Sequence, residues 1–213
     1  MKPLDPAALR EISRTTLRHY ERNAEAFRSG TWDHDVSQNA NALLDAIEGE
    51  PPFKVLDFGC GPGRDLVAFR ARGIEPVGLE GSASFVAMAR AASGCEVWQQ
   101  DFLALDLPRE RFHGVFANAS LFHVPTQELP RVLSELRATL RPRGVLFVSN
   151  PHGRDEEGWQ DERYGAWHTP ETWRRFVDAC GFELIREYFR PSGRPRAEQP
   201  WHATVWRRPG RTG

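Results

Sequence analysis

The chain has 213 residues, with 28 basic and 29 acidic side chains and a formal net charge of −1. This length predicts one domain with a modest extension and leaves no room for a separate substrate domain. The near-neutral charge argues against a nucleic-acid binder, and the lack of apolar runs of about 20 residues argues against a membrane protein. We expect a soluble cytoplasmic protein, a monomer or weak homodimer, whose partner is a small molecule.

The three cysteines also bear on the compartment. Cys60, Cys95 and Cys180 are odd in number, widely spaced and set among apolar residues. This pattern is typical of buried thiols in a reducing environment.

The first 50 residues predict a helical cap. Residues 6–28 carry apolar side chains at helical spacing, and a second helix is expected to follow "SGTWDHDVSQNAN" and run to about residue 48. Tyr20 and Phe27 lie on the apolar side of the first helix. Two interpretations stay open for them, core packing or a cation–π lining of a ligand site.

The remainder alternates strand and helix patterns, which is typical of an α/β fold with a mainly parallel sheet. Strands are predicted near residues 53–58, 75–79, 96–99, 112–117 and 143–149. Helices are predicted near residues 64–72, 82–92 and 128–140, with a further helix starting at Thr169-Pro170. The final segments "FELIREYFRP" and "PWHATVWRR" predict an antiparallel C-terminal hairpin.

The stretch "VLDFGCGPGRDL" joins the first strand to a helix through Gly59, Gly61 and Gly63. Glycines there let a ligand press against the main chain, while N–H groups at the helix N-terminus point toward it. The spacing differs from the G-x-G-x-x-G of dinucleotide enzymes, and no Gly-Lys-Ser/Thr follows as in a Walker loop. Asp57 repels phosphate and suits an ammonium group.

Acidic residues follow the next two strands. Glu80 lies about 20 residues past the first glycine, where a carboxylate can accept from ribose hydroxyls. Asp101 can accept from an adenine amino group, and Phe102 can lie against the ring. The ligand is therefore expected to contain a nucleoside.

These motifs, with "FANASLFHV" and "LRPRGVLFVSN" at the fourth and fifth strands, resemble those of the class I S-adenosylmethionine-dependent methyltransferases. The resemblance implies a Rossmann-like fold with helices on both faces of a seven-stranded sheet. It also implies S-adenosyl-L-methionine as cofactor and S-adenosyl-L-homocysteine as product. The residues then expected to bind the cofactor are Tyr20, Asp57, Gly59, Gly61, Gly63, Glu80, Gly81, Ser82, Asp101, Phe102 and Asn118.

A narrower resemblance runs from about residue 20 to residue 207. Segments such as "DHDVSQN", "GCEVWQQDF", "RYGAWH" and "EQPWHATVWR" look like the methyltransferase domain of ovothiol synthase. This resemblance implies transfer of a methyl group to a ring nitrogen of 5-thiohistidine. The alternatives are another small amine, thiol or metalloid acceptor, or a cofactor-binding module without catalysis.

In this interpretation residues 1–50 form a cap that contributes to the active site, and residues 51–213 form the cofactor-binding core with a lid loop at 150–168. The expected catalytic residues are Asn118, His34 and Tyr164. The expected substrate-binding residues are Trp32, Asp33, Ser120, Phe122, His123, Asn150, Trp167 and Arg190. No metal is expected, because His34, His152 and His168 lack a tight ligand spacing.

Several of these residues have a second interpretation. His34 lies between two aspartates that could orient it as a base, although Asp35 could equally cap the following helix. His123 could be structural, and Arg190 could be solvated or bind a substrate carboxylate.

Overall fold

The computed structural model describes residues 3–210. The nine strands are β1 Lys54–Phe58, β2 Glu75–Glu80, β3 Val97–Gln99, β4 Phe112–Asn118, β5 Leu140–Pro151, β6 Glu156–Gln160, β7 Arg163–Trp167, β8 Glu183–Arg190 and β9 Trp201–Arg207. The α-helices are α1 Pro6–Arg22, α2 Ala24–Thr31, α3 Ser37–Leu44, α4 Arg64–Ala71, α5 Ala83–Ser93, α6 Leu129–Thr139 and α7 Pro170–Ala179. Short 3₁₀ turns occupy Leu121–His123 and Arg196–Glu198.

Seven strands form one sheet in the order β3-β2-β1-β4-β5-β9-β8. The first five are mutually parallel, and β9 pairs antiparallel with both β5 and β8. The predicted Rossmann-like fold with its C-terminal hairpin is thereby confirmed. The order of the strands along the sheet changes direction at β1. The carboxyl ends of β1 and β4 therefore flank the crevice where open α/β sheets bind ligands.

Apolar clusters cover both faces of this sheet. One face packs against α6 and α7 through Leu133, Leu136 and Trp173, and the other packs against α3 and α4 through Leu43 and Phe69. The apolar side of α6 is buried, as expected for an amphipathic helix. Of the cysteines, Cys60 is buried whereas Cys95 and Cys180 are only partly covered; all three are free thiols.

The N-terminal cap differs from its prediction in two respects. The helix expected over residues 6–28 is divided at Asn23, whose N–H and side-chain amide both donate to the His19 carbonyl, at 3.2 and 2.8 Å. Such local side-chain bonding competes with helix continuation. The helix predicted to run to about residue 48 is α3, and it ends at Leu44, four residues earlier.

The segment 150–168, predicted as a lid loop, contains an antiparallel hairpin. Strands β6 and β7 pair from Glu156↔Trp167 to Gln160↔Arg163 and form a separate two-stranded sheet. The Tyr164 N–H donates to the Thr16 hydroxyl of α1 at 3.0 Å, which fastens the hairpin to the cap. Cross-strand contacts such as Trp159 with Tyr164 supply side-chain packing that the aperiodic sequence did not reveal.

Within residues 3–210, no helix is both long and apolar enough to cross a membrane. In the same part of the chain, no group of three or more His, Cys, Asp or Glu side chains is arranged to hold a metal ion.

Candidate active site

A cavity of about 710 Å³ lies beyond the carboxyl ends of the parallel strands. Its floor consists of the turns that follow β1, β2, β3 and β4, and α1 and α2 cover it. The predicted contribution of the cap to the site is consistent with this arrangement. A volume of this size suits a cofactor together with a small second molecule.

The loop after β1 has the bare backbone that its glycines predicted. Gly59 and Gly61 have φ values of +81° and +50°, in the left-handed region that favours glycine. A Cβ on Gly59 would lie 2.5 Å from the Ser120 Cβ. Glu80 orders this loop, because its carboxylate accepts from the N–H groups of Gly61, Gly81 and Ser82 at 3.0, 2.8 and 2.9 Å.

Those three backbone bonds also limit what Glu80 can do for a ligand. An ionised carboxylate has about four acceptor positions. Oε1 accepts two of the backbone bonds and Oε2 accepts one, so about one position on Oε2 remains for a ribose hydroxyl. Burial raises the pKa of Glu80, with the three N–H groups acting in the opposite direction.

Asp57 lies inside β1 and is buried below this loop, outside the cavity wall. Its Oδ2 has no hydrogen-bond partner within residues 3–210. Burial, and then the neighbouring Asp65, raise the pKa of Asp57 well above its ordinary value. An orphaned carboxyl oxygen beside a bare glycine turn fits the ammonium end of an amino-acid ligand, because a cation there would supply the missing partner.

The predicted adenine end of the cavity is closed by α1. The Ser13 hydroxyl donates to Asp101, and the Leu103 N–H donates to the same carboxylate at 2.8 Å. Phe102 stacks on Phe58 with 4.2 Å between ring centroids. The cavity is therefore lined by a carboxylate and an aromatic ring at the position predicted for the base.

His123 lies in a fixed hydrogen-bond chain. Its Nδ1 is 2.6 Å from the Tyr164 carbonyl and its Nε2 is 2.7 Å from the Tyr20 hydroxyl. A carbonyl can only accept, so Nδ1 carries the proton and Nε2 accepts from Tyr20. Burial lowers the pKa of His123 to about 4, which keeps the ring neutral at physiological pH.

This buried imidazole is expected to make the fold sensitive to acid. The folded-state pKa of about 4 lies below the ordinary value of 6.5, so only the unfolded chain takes up this proton between those values. Stability present above pH 6.5 is then lost as the pH falls toward 4, by about 2 kcal/mol at pH 5. We expect His123→Gln to lose less stability than the wild type between pH 8 and pH 5 in urea unfolding. Equal losses in the two proteins would contradict this assignment.

A second chain of hydrogen bonds orients Asn118 at the end of β4. The Tyr188 hydroxyl donates to Asn39 Oδ1 at 2.9 Å, and Asn39 Nδ2 donates to Asn118 Oδ1 at 2.9 Å. The Asn118 amide nitrogen is then left as a donor in the cavity wall. Ser120 Oγ, also in the wall, is buried with no hydrogen-bond partner in the described part of the chain.

The opposite wall carries His34 and Arg190. One Arg190 NH2 group donates to the Asp35 carbonyl at 3.0 Å, whereas its buried Nε has no hydrogen-bond partner among the described residues. The Asp35 carboxylate accepts from the Ser37 N–H at 2.8 Å, which supports its predicted role in ordering the start of the next helix.

The structure thus brings most of the predicted site residues to one cavity. Those that line it are Tyr20, His34, Gly59, Gly61, Glu80, Gly81, Asp101, Phe102, Asn118, Ser120, Phe122, His123 and Arg190.

Three residues predicted to contact the cofactor lie behind the wall. Besides Asp57, Gly63 has φ +92° and lies against α5, where a Cβ would be 2.7 Å from the Ala89 Cα. Ser82 caps α5 by accepting from the Phe85 N–H at 3.3 Å. Gly63 therefore supports the site by close packing against α5, and Ser82 supports it by capping that helix.

Five predicted catalytic or substrate-binding residues lie outside the cavity wall. Trp32 lies under the Arg28 guanidinium, with 5.1 Å between its ring centroid and the Arg28 Cζ, and Asp33 is exposed. The Tyr164 ring packs against Trp159; burial and Glu157 raise its pKa to about 12.

Asn150 and Trp167 are the other two. Asn150 faces a small cavity that it shares with His152, His168 and His202. Trp167 packs against Gly165 within the hairpin. Asn150 follows Ser149, which lines the main cavity, and neighbouring residues of a strand alternate between its two faces.

Sequence reasoning missed one side of the cavity. Ile12, Ser13, Thr16 and Leu17 of α1 line it, as does Arg163 of β7. The helical spacing of the α1 residues was visible, but an apolar helix face that packs on a core gives the same pattern. Arg163 lay in a segment without periodicity, where no pattern predicts the direction of a side chain.

The class of fold is clear from comparison with solved structures. 1,6-Didemethyltoxoflavin-N1-methyltransferase from Burkholderia thailandensis, solved with 1,6-didemethyltoxoflavin and S-adenosylhomocysteine, aligns with a TM-score of 0.77 at 20% identity. The alignment covers 98% of this chain and 93% of that one. The cyclase SpnF aligns with a TM-score of 0.78 at 18% identity and covers 98% of each chain. These likenesses establish the Rossmann-like methyltransferase fold.

The sequence comparisons then give the family of the domain. Residues 55–144 match the family described as a methyltransferase domain. Trans-aconitate 2-methyltransferase of Azoarcus sp. (strain BH72) is 31% identical over 153 residues, which is 67% of this chain and 58% of that protein. The chain spans little more than half the length of the curated relatives it matches.

The chain therefore contains a class I S-adenosylmethionine-dependent methyltransferase domain, and S-adenosylmethionine is its cofactor. The predicted fold, domain class and cofactor are confirmed.

Proposed function

We propose that this protein methylates a small molecule and that the acceptor is 5-thiohistidine, on one of its ring nitrogens. The observation that carries the proposal is the convergence of the segments that resemble ovothiol synthase on one cavity. "TWDHDVSQN" supplies His34 and Asp35, "CEVWQQDF" supplies Asp101, "RYGAWH" supplies Arg163 and "EQPWHATVWR" supplies Trp201. If these segments resembled ovothiol synthase only for reasons of core packing, their residues would not be expected to meet at one cavity.

The chemistry needs orientation more than a strong base. S-adenosylmethionine supplies a methyl group on a sulfonium, which a nitrogen lone pair displaces in line, leaving S-adenosylhomocysteine. Alignment of donor and acceptor can contribute about 7 to 11 kcal/mol. The protein's part is then to place the ring, to select its tautomer and to accept the one proton that the methylated ring releases.

The residues in the wall suit these tasks. The Asn118 amide, oriented through Asn39 and Tyr188, can donate to a ring nitrogen or to the acceptor's polar end. His34 is the candidate acceptor for the released proton, and the unpartnered Nε of Arg190 can bind a carboxylate. Phe122 offers an aromatic face to the ring.

Incubation with S-adenosylmethionine tests the acceptor. We expect formation of S-adenosylhomocysteine and a mass increase of one methyl group with 5-thiohistidine, and turnover at least about 100-fold slower with histidine, because the sulfur contacts are lost. Trans-aconitate is a useful third compound, because it is the substrate named for a 31% identical relative.

The outcomes separate the alternatives. Turnover of trans-aconitate but not of 5-thiohistidine would replace the acceptor and keep the reaction class. Cofactor binding without turnover of any acceptor across amines, thiols and oxyanions would favour a module without catalysis.

A further inference from the structure

Arg163 is a cationic side chain in the cavity wall that the proposed reaction has not used. It is the first residue of β7, and its guanidinium lies beside the Tyr20 hydroxyl. Its Nε is buried with no hydrogen-bond partner within the described range 3–210. Both residues line the cavity, and the Arg163 guanidinium, through a hydrogen bond and its charge, lowers the pKa of Tyr20 against the larger effect of burial, which raises it.

The four acidic side chains in the cavity wall are already occupied by other groups, and of these Asp35 accepts from the Ser37 N–H at 2.8 Å. Asp65 takes two bonds from Arg64, at 2.8 and 3.0 Å. Glu80 accepts from three backbone N–H groups, and Asp101 accepts from Ser13 and the Leu103 N–H. None of these carboxylates forms an ion pair with Arg163 in the structure of residues 3–210.

The groups nearest Arg163 do not neutralise it either. The preceding residue, Glu162, turns outward, where it pairs with Arg22 and lies 3.6 Å from His19 Nδ1. His123 is neutral, because burial lowers its pKa to about 4. Arg163 therefore has no ion-pair partner within residues 3–210, and a bound anion would supply one.

The position of Arg163 is set by its neighbours on both sides. It pairs with Gln160 across the hairpin, and the next residue, Tyr164, is held at both backbone groups. The Tyr164 N–H donates to Thr16 at 3.0 Å and its carbonyl accepts from His123 at 2.6 Å. A side chain on an anchored strand is a better preorganised binding group than one on a free loop.

We propose that Arg163 binds the carboxylate of an α-amino acid that enters the cavity. A guanidinium presents two parallel N–H groups that match a carboxylate. Two ligands of this site carry that group, the methionine end of the cofactor and the acceptor, and the second of these rests on the proposed function. The hairpin is then part of the binding site and not merely a cover.

The test uses Arg163→Gln, Arg163→Lys and the control Arg154→Gln, which changes an exposed arginine of the same segment that does not line the cavity. Calorimetry would compare S-adenosylhomocysteine with 5′-methylthioadenosine, which keeps the nucleoside and thioether but lacks the amino-acid end. A third titration would add 5-thiohistidine to protein saturated with S-adenosylhomocysteine.

If Arg163 binds the cofactor's carboxylate, Arg163→Gln is expected to lower the affinity for S-adenosylhomocysteine by about tenfold or more. The affinity for 5′-methylthioadenosine is then expected to change by less than about twofold. If Arg163 binds the acceptor's carboxylate, the affinity for S-adenosylhomocysteine is unchanged and the affinity for 5-thiohistidine falls by about tenfold or more. Arg163→Lys, which keeps the charge but not the fork, is expected to fall between wild type and Arg163→Gln.

The proposal would be overturned if Arg163→Gln bound both S-adenosylhomocysteine and 5-thiohistidine with the affinity of the wild type. A wild-type protein that binds S-adenosylhomocysteine but not 5-thiohistidine would refute the proposed acceptor instead. Arg163 would then be judged on S-adenosylhomocysteine alone, where equal affinity of wild type and Arg163→Gln rejects the carboxylate site. Equal weakening of 5′-methylthioadenosine and S-adenosylhomocysteine would mark a structural role and also reject it.

Discussion

Glu80→Ala is expected to weaken binding of S-adenosylhomocysteine by at least about 30-fold, or about 2 kcal/mol. One oxygen of the carboxylate has a position left for a ribose hydroxyl, and a hydrogen bond to a charged group contributes about 1.5 to 3 kcal/mol. The variant also removes the acceptor that holds the N–H groups of Gly61, Gly81 and Ser82, so the loop loses its order in the free protein. Isothermal calorimetry measures the effect.

Two further variants separate these contributions. Glu80→Gln keeps one acceptor oxygen, so its affinity is expected to lie between those of wild type and Glu80→Ala. Glu75→Ala is the matched control, since Glu75 lies at the other end of β2. Its exposed carboxylate forms a surface ion pair with Lys54, with 3.7 Å between Oε2 and Nζ. Affinity of Glu80→Ala within about twofold of Glu75→Ala would contradict the role of Glu80 at the cofactor site.

Gly59→Ala is expected to lower the free energy of unfolding by about 2 to 5 kcal/mol. The backbone there has φ +81°, and the new Cβ would lie 2.5 Å from the Ser120 Cβ and 3.2 Å from the Phe102 ring. The Ser120 Cβ is attached directly to the main chain, so the contact is relieved only if the β4 turn moves. Because Ser120 and Phe102 both line the cavity, binding of S-adenosylhomocysteine should weaken as well.

Urea unfolding with two comparison variants tests this prediction. Gly30→Ala is the control: Gly30 lies inside α2, and a Cβ at this position would have nothing within 4 Å, so alanine should leave stability unchanged or raise it by about 0.5 to 1 kcal/mol. Gly59→Ala combined with Ser120→Gly should recover the packing part of the loss but not the backbone part. A Gly59→Ala protein as stable as wild type would show that the loop can relax freely.

The elements of the core and their contribution to the site could be predicted from the sequence with few errors. Gly59, Glu80, Asp101 and Asn118 each lie at or just after the end of a parallel strand, and parallel strands place their carboxyl ends at one edge of the sheet. Order along the chain was therefore sufficient to bring these residues together. Asp57 lies one residue before the strand end, so it is buried in the sheet and does not line the cavity.

Several predicted residues outside this pattern do not line the cavity, namely Trp32, Asn150, Tyr164 and Trp167. They were placed in the site because they lie in segments near the presumed cleft. A side chain's direction, however, depends on which face of its strand or helix packs on the core. In the segment 150–168 that face was fixed by hairpin pairing and by anchoring to α1, neither of which leaves a local signal.

What the sequence determined by itself is the nucleoside-binding half of the site, because local spacing of glycines and acids maps directly onto successive βα turns. Only the tertiary structure decided the cover of the cavity and the ionisation of its groups. The neutral tautomer of His123, the orientation of Asn118 and the burial of the unpartnered Arg163 Nε all depend on residues more than 40 positions away or on packing. Long-range packing sets these properties, so no window of the sequence contains them.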